Sequence, residues 1–241
     1  MGKQMVTGEI EAALFADMPE VTPFLTETWY PLPAVIVLPG GGYAMHAAHE
    51  AVPVAEFYQQ SGFHAFLLRY TLLPETYPAP LTDVQKLISC LRRNAKALKV
   101  DPNRIFVVGF SAGGHLAAMS AVAADATGEN RPNGVILGYP VTSARQNCVR
   151  KAAGKGEPEA LDVPSQVTAE TPPMFIWHTS EDAAVDVRQS LALGAALREH
   201  GIPFEMHIFP RGPHGLSLAK LQPEVAQWAK MSVDWMLRLC R

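Results

Sequence analysis

The stretch Gly109-Phe110-Ser111-Ala112-Gly113-Gly114 constrains the fold more than any other part of this chain. Before it runs RIFVV (104–108), rich in β-branched and aromatic residues, and after it runs HLAAMSAVAA (115–124), dominated by helix formers. A strand therefore has to turn sharply into a helix within a few residues. Glycines on both sides of Ser111 permit that turn and let the helix close onto the strand, which leaves the serine hydroxyl at the tip above the helix N-terminus. Gly-x-Ser-x-Gly by itself also describes an ordinary glycine-rich turn. The strand-then-helix setting is what favours Ser111 as a nucleophile.

The rest of the chain repeats the same alternation. Residues 34–38 (AVIVL) form an apolar run between Pro33 and Pro39, as expected of a strand buried on both faces, and it empties into the loop Pro39-Gly40-Gly41-Gly42-Tyr43. A helix over 50–60, stopped by Ser61-Gly62, leads to a second buried strand at 65–68. From Leu81, the residues Val84, Leu87, Ile88, Leu91, Ala95 and Leu98 recur at helical spacing, and Asp101-Pro102-Asn103 reads as the turn into the strand that carries Ser111. GVILG (134–138) is the next short strand. Strands at 174–177 and 204–209 then alternate with helices at 187–200 and from Pro223 onward; Asp186 and Gln189 resemble a capping pair, and Val225, Trp228, Ser232, Trp235 and Leu239 form the last helical stripe. The first thirty residues offer only two weak strand candidates, 5–10 and 27–30. Between about 140 and 172 the periodicity lapses, which predicts an irregular insertion with one short helix at most.

Alternating strands and helices predict a single α/β domain over 1–241, with a mainly parallel sheet, helices on both faces and no large cap domain. The length and the 48% hydrophobic content suit one large core. A net charge of -3 without a long basic run argues against nucleic acid or an anionic membrane as partner. The start of the chain lacks the basic-then-apolar pattern of a secretory signal, and three scattered cysteines form no disulfide framework, so a cytoplasmic setting is expected. Oligomeric state is left open, a homodimer included.

In open parallel sheets, ligands bind at the carboxyl ends of the strands. Three loops at such ends hold catalytic-type residues: Ser111, Asp182 after MFIWHTSE, and His214 after FEMHIF. The order Ser, Asp, His is that of an α/β-hydrolase, in which the imidazole takes the hydroxyl proton and the carboxylate fixes the imidazole. Glu181 is the rival carboxylate. Asp182 is preferred because it precedes Val185 by three, as in an Asp-x-x-Val motif. The developing oxyanion needs N–H donors, for which Gly40, Gly41 and Ala112 are the candidates, and Tyr43 is expected to border the acyl pocket. The glycine loop lacks the Lys-Ser/Thr ending of a phosphate loop and the spacing of a dinucleotide fingerprint.

PGGGY (39–43), LLRY (67–70), GFSAGGHLAA (109–118), WHTSEDAAV (177–185) and FPRGPHGL (209–216) together resemble the bacterial esterase/lipase group of the α/β-hydrolase superfamily, whose members are often labelled acetylxylan esterase or endoxylanase B. The resemblance runs from about residue 33 to the C-terminus. It implies a serine carboxylesterase that removes acetyl or other small acyl groups from sugars and aryl alcohols, with no cofactor and a small-molecule ester as partner. Pro39 stands where hormone-sensitive-lipase-like relatives have His, which favours the sugar-esterase branch, and Asp186 stands where relatives usually carry Pro. A small serine peptidase and an inactive hydrolase-fold binding module remain the rival readings.

The other notable side chains carry plainer expectations. His46 and His49 have metal-compatible spacing but no third ligand nearby, so no metal is expected. His115 is expected to pack or hydrogen-bond within its helix, His178 to stand close to the acid loop, Trp177 to be core and Cys148 to be a free thiol.

Overall fold

The computed structural model describes residues 14–15 and 18–240. Seven strands form one sheet: β1 (Val21–Phe24), β2 (Leu32–Leu38), β3 (His64–Leu68), β4 (Val100–Phe110), β5 (Gly134–Gly138), β6 (Met174–Thr179) and β7 (Phe204–Phe209). Their spatial order is β1-β3-β2-β4-β5-β6-β7, and every pairing is parallel except that of β1 with β3. The order of β2 between β3 and β4 puts the glycine loop beside the elbow serine. This is the mainly parallel α/β arrangement expected from the alternation.

The central strands carry unbroken apolar runs, at 34–38, 65–68, 105–108, 135–137 and 174–177, because both faces are covered. Ile36, Leu38, Val107, Leu137 and Ile176 point to one face, under α2 (Ala79–Arg93), α4 (Ser111–Val122) and α6 (Arg188–Glu199). Val35, Val37, Val108, Ile136 and Phe175 point to the other, under α1 (Val52–Gln60) and α7 (Pro223–Leu239). On that second face Trp177 stacks on Trp228 at 4.9 Å, which locks the final helix onto β6. Among the described residues no helix is long and apolar enough to cross a membrane.

Several local expectations change. The early candidate at 5–10 lies outside the described residues, and 27–30 is not a strand; the edge strand is Val21–Phe24, which Pro23 hides from propensity. The helix expected to run through to Leu98 breaks at Asn94 and resumes as the short α3 (Ala95–Leu98). Asp101-Pro102-Asn103 lies inside β4 as an irregularity, where two steps on β2 face five on β4, with the Asn103 N–H donating to Asp101 at 2.9 Å. Leu239 is exposed, so the stripe of α7 ends one turn early. Gln189 does not cap α6: its side chain accepts from the N–H groups of Thr142 and Ser143. The insertion at 140–172 is more ordered than its composition suggests, with α5 (Asn147–Ala153) and the 3-10 turns Pro158–Leu161 and Val163–Gln166.

Candidate active site

Ser111 is the first residue of α4 and sits at φ 53. A non-glycine residue with positive φ costs about 1–3 kcal/mol and persists only where its surroundings hold it. Here the neighbour two residues on does the holding. A Cβ on Gly113 would stand 2.2 Å from the carbonyl oxygen of Leu38 and 2.4 Å from that of Pro39, so only glycine lets α4 sit against the end of β2. The turn thus aims the serine at the mouth of the β2 loop.

His214 comes to Ser111 from the loop after β7. The Ser111 hydroxyl donates to Nε2 of His214 at 2.9 Å, and Nδ1 of His214 donates to Oδ2 of Asp182 at 2.6 Å. The imidazole is 25% exposed, open enough for a substrate to reach the hydroxyl beside it, whereas the Asp182 side chain is fully enclosed. The rival Glu181 points elsewhere and accepts from the N–H of Gly212 at 3.3 Å. What separates the adjacent acids is backbone geometry: Oδ1 of Asp182 accepts from the N–H groups of Ala184 and Val185, both at 2.9 Å, and this fixes its other oxygen on His214.

His178 adds a second constraint on Asp182. Its Nδ1 accepts from the hydroxyl of Ser190 at 2.8 Å, so Nε2 carries the proton; that N–H donates to the Val185 carbonyl at 2.9 Å and lies 3.3 Å from Oδ2 of Asp182. Burial alone would raise the Asp182 carboxyl. Hydrogen bonds from His178, His214 and the Val185 N–H outweigh it and hold the group below the usual carboxylate range, so it stays ionised behind the imidazole.

The glycine loop corrects one expectation. The N–H of Gly40 is not free for an oxyanion, because it donates to Oε2 of the buried Glu50 at 2.7 Å. Among the described residues the N–H groups of Gly41, Gly42 and Ala112 carry no such bond. Two candidates from the sequence, Gly41 and Ala112, therefore remain, with Gly42 beside them. Tyr43 corrects another. It is 1% exposed, with its hydroxyl turned inward to Nδ1 of His115 at 2.7 Å and to the hydroxyl of Tyr77 at 2.8 Å, so it braces the loop from beneath and does not border an open pocket.

His115 links that brace to the insertion. Its Nε2 donates to the carbonyl of Leu161 at 2.8 Å, which makes Nδ1 the acceptor for Tyr43. Burial lowers its pKa to about 4, so the ring is neutral near pH 7. The insertion also touches the elbow directly, since the Val141 N–H donates to the Ser111 carbonyl at 3.0 Å. Cys148 on α5 faces Gly42, where an added Cβ would lie 3.9 Å from its own. His46 and His49 separate, their Nε2 atoms donating to the carbonyls of Tyr70 and Gly215.

Comparison with known proteins identifies the family and the fold. The chain is 37% identical over 206 residues to endo-1,4-beta-xylanase B of Butyrivibrio fibrisolvens, which covers 77% of this chain and 32% of that protein. It is 29% identical over 218 residues to the acetylxylan esterase of Xylanibacter ruminicola, covering 82% and 45%. The chain thus spans about a third to half the length of the curated relatives it matches. Among solved structures, an acetyl ester-xyloside bifunctional hydrolase from Caldicellulosiruptor lactoaceticus superposes with a TM-score of 0.84 at 38% identity, covering 92% of this chain and 88% of that one. MGS-M1, an alpha/beta hydrolase enzyme from a Medee basin deep-sea metagenome library, gives 0.79 at 33%, covering 91% of each. The BD-FAE family model matches residues 26–149, slightly more than half the chain, from before β2 into α5 and across both the glycine loop and the elbow. With that match and the sheet that carries it, the chain belongs to the BD-FAE family and has the α/β-hydrolase fold.

Proposed function

We propose that this chain is a serine carboxylesterase acting on small acyl esters, acetyl groups on sugars or xylo-oligosaccharides in particular. The observation that carries the reading is the unbroken relay from Ser111 Oγ to His214 Nε2 and from His214 Nδ1 to Asp182 Oδ2, at 2.9 and 2.6 Å. Relatives named acetylxylan esterase and acetyl ester-xyloside hydrolase support the acyl group and the alcohol. His214 takes the proton of Ser111 as Oγ attacks the ester carbonyl carbon. The oxyanion that forms is held by the Gly41 and Ala112 N–H groups. Collapse expels the alcohol, which leaves with the proton from His214, and the acyl group stays on Oγ. Water then adds to the acyl-enzyme with His214 again as base, releasing the acid and restoring Ser111. Asp182 stabilises the imidazolium at both stages.

Purified protein is expected to hydrolyse p-nitrophenyl acetate and to be labelled by a fluorophosphonate at Ser111. Ser111→Ala should take no label and lose at least about 10³-fold in kcat. Equal turnover by both proteins refutes the mechanism. Release of acetate from acetylated xylo-oligosaccharides, faster than cleavage of short peptide amides, is the result expected for the substrate class.

A further inference from the structure

No step of the ester reaction uses Glu50, yet this residue is 2% exposed and lies against the site. It ends the 3-10 turn Ala48–Glu50, ten residues after Gly40. A carboxyl group survives in such a place only where hydrogen bonds replace the water it has lost. Both of its oxygens accept: Oε2 from the N–H of Gly40 at 2.7 Å, and Oε1 from the hydroxyl of Tyr139 at 2.6 Å. A Cβ on Gly40 would stand 2.7 Å from that Oε2 and 3.1 Å from the Cβ of Ser111, so the glycine is wedged between Glu50 and the nucleophile.

The second oxygen leads to the base. Tyr139 follows β5 at φ 36, and its ring meets the His214 imidazole edge-on at 4.9 Å. Its hydroxyl also accepts from the N–H of Ser217, three residues past His214, at 2.8 Å. The Ser217 hydroxyl then donates to the carbonyl of His49 at 2.6 Å, and Nε2 of His49 donates to Gly215 at 3.0 Å, which returns the chain of bonds to the residue before Glu50. The glycine loop, the strand end that flanks His214 and the loop that carries it are thus tied into one ring, and Glu50 is the member that reaches both sides.

We propose that Glu50 is a positioning residue for the reaction: it fixes the glycine loop through Gly40 and the His214 loop through Tyr139, holding both in one relation to Ser111. The inference rests on the serine-esterase reading. Glu50 touches no substrate, and its effect is confined to the placement of donors and base in the transition state.

Three variants test this, with kcat and KM for p-nitrophenyl acetate and the rate of fluorophosphonate labelling as readouts. Glu50→Ala removes both acceptors; kcat and the labelling rate should fall together by about 10- to 100-fold with KM within about threefold, since only the transition state needs the lost alignment. Glu50→Gln keeps an oxygen for Gly40 and offers an N–H to the Tyr139 oxygen, so it should recover kcat to within about fivefold of wild type. A folded Glu50→Ala with kcat within about twofold of wild type overturns the proposal. A Gln variant as slow as the Ala variant overturns it too, because the effect then follows charge and not position. Should Glu50→Ala fail to fold, Tyr139→Phe decides: it keeps the ring on His214 and drops only the hydroxyl. A fall of about 3- to 10-fold in kcat at unchanged KM supports the ring of bonds, and unchanged kcat overturns it. Wild-type protein that neither turns over nor labels defeats the esterase reading itself, a result distinct from any of these.

Discussion

Replacing Asp182 by asparagine exchanges one carboxylate oxygen for an NH2 group at almost constant shape, and the surrounding donors dictate which way the new side chain faces. The N–H groups of Ala184 and Val185 both point at Oδ1 from 2.9 Å. They hold the amide oxygen, which turns the NH2 toward His214. Reversing the amide would break two hydrogen bonds of about 1 kcal/mol each, against which stands only the longer contact of the His178 N–H, 3.3 Å from Oδ2, so the bias is about 1–2 kcal/mol. That corresponds to roughly 5- to 30-fold in favour of the unproductive orientation. Facing an NH2, Nδ1 of His214 must accept, so the ring proton moves to Nε2 and confronts Ser111 with a donor where a base is needed. Loss of the negative charge behind the imidazolium adds to this, and the same change in Ser-His-Asp hydrolases costs about 10⁴-fold. The expected result for Asp182→Asn is therefore a fall of about 10³- to 10⁴-fold in kcat/KM for p-nitrophenyl acetate near pH 7, with the fold retained by circular dichroism. A folded variant within about tenfold of wild type refutes the tautomer argument. A second signature lies in stability. Because the folded carboxyl titrates below its unfolded value of about 4, its contribution is complete above that pH and is lost as pH falls below it. Asp182→Asn should lack that part of the acid-side decline.

Two further changes probe the supports of the site. His115 titrates near 4 in the folded chain and near 6.5 when unfolded, so the unfolded state binds the extra proton and stability drops as pH falls from about 6.5 toward 4, by about 3 kcal/mol from this residue. Urea unfolding of wild type and His115→Gln across that window should show a shallower slope for the variant, and equal slopes would contradict the assignment. Gly113→Ala drives a Cβ into the backbone carbonyls of Leu38 and Pro39, which have no side-chain freedom with which to yield. Its cost should exceed about 2 kcal/mol in urea unfolding and its kcat should fall as the elbow tips; an unchanged midpoint would mean that α4 shifts freely.

Much of the candidate site was legible because Ser111 and Asp182 follow apolar runs buried on both faces, and His214 follows the edge strand β7, which alternating apolar residues mark as a strand. Ser111, Asp182 and His214 are 71 and 32 positions apart in sequence, yet each comes a few residues after a parallel strand, and the shared sheet edge brings them together. Asp182 was separable from Glu181 by its distance to Val185, and the structure gives the cause in the N–H of Val185 at 2.9 Å. What stayed hidden were groups whose role depends on a partner distant in sequence. Nothing in AHE (48–50) shows that Glu50 meets Gly40 and Tyr139, so Gly40 passed for an open donor. Tyr43 looked like a pocket wall because it follows three glycines; its inward turn requires His115, 72 positions on. Gln189 passed for a cap because the loop at 142–143 that occupies it belongs to the insertion.

The register of the sheet has a consequence for how such a molecule can change. Phe110 pairs with Gly138, Gly138 with Trp177, and Thr179 with Phe209, so β4 ends level with β5, and β6 level with β7 two residues farther on, like divisions on a ruler. The triad is read off that ruler: slipping one strand by a single residue would displace its loop by about 3.3 Å, several times the tolerance of a proton relay, and turn its buried face outward. The insertion, by contrast, begins only after β5 has stopped. The insertion at 140–172 can lengthen, shrink or exchange side chains beyond its anchor points without moving a division of the scale. Positions fixed by the register and positions free to vary are thereby kept on separate parts of one chain.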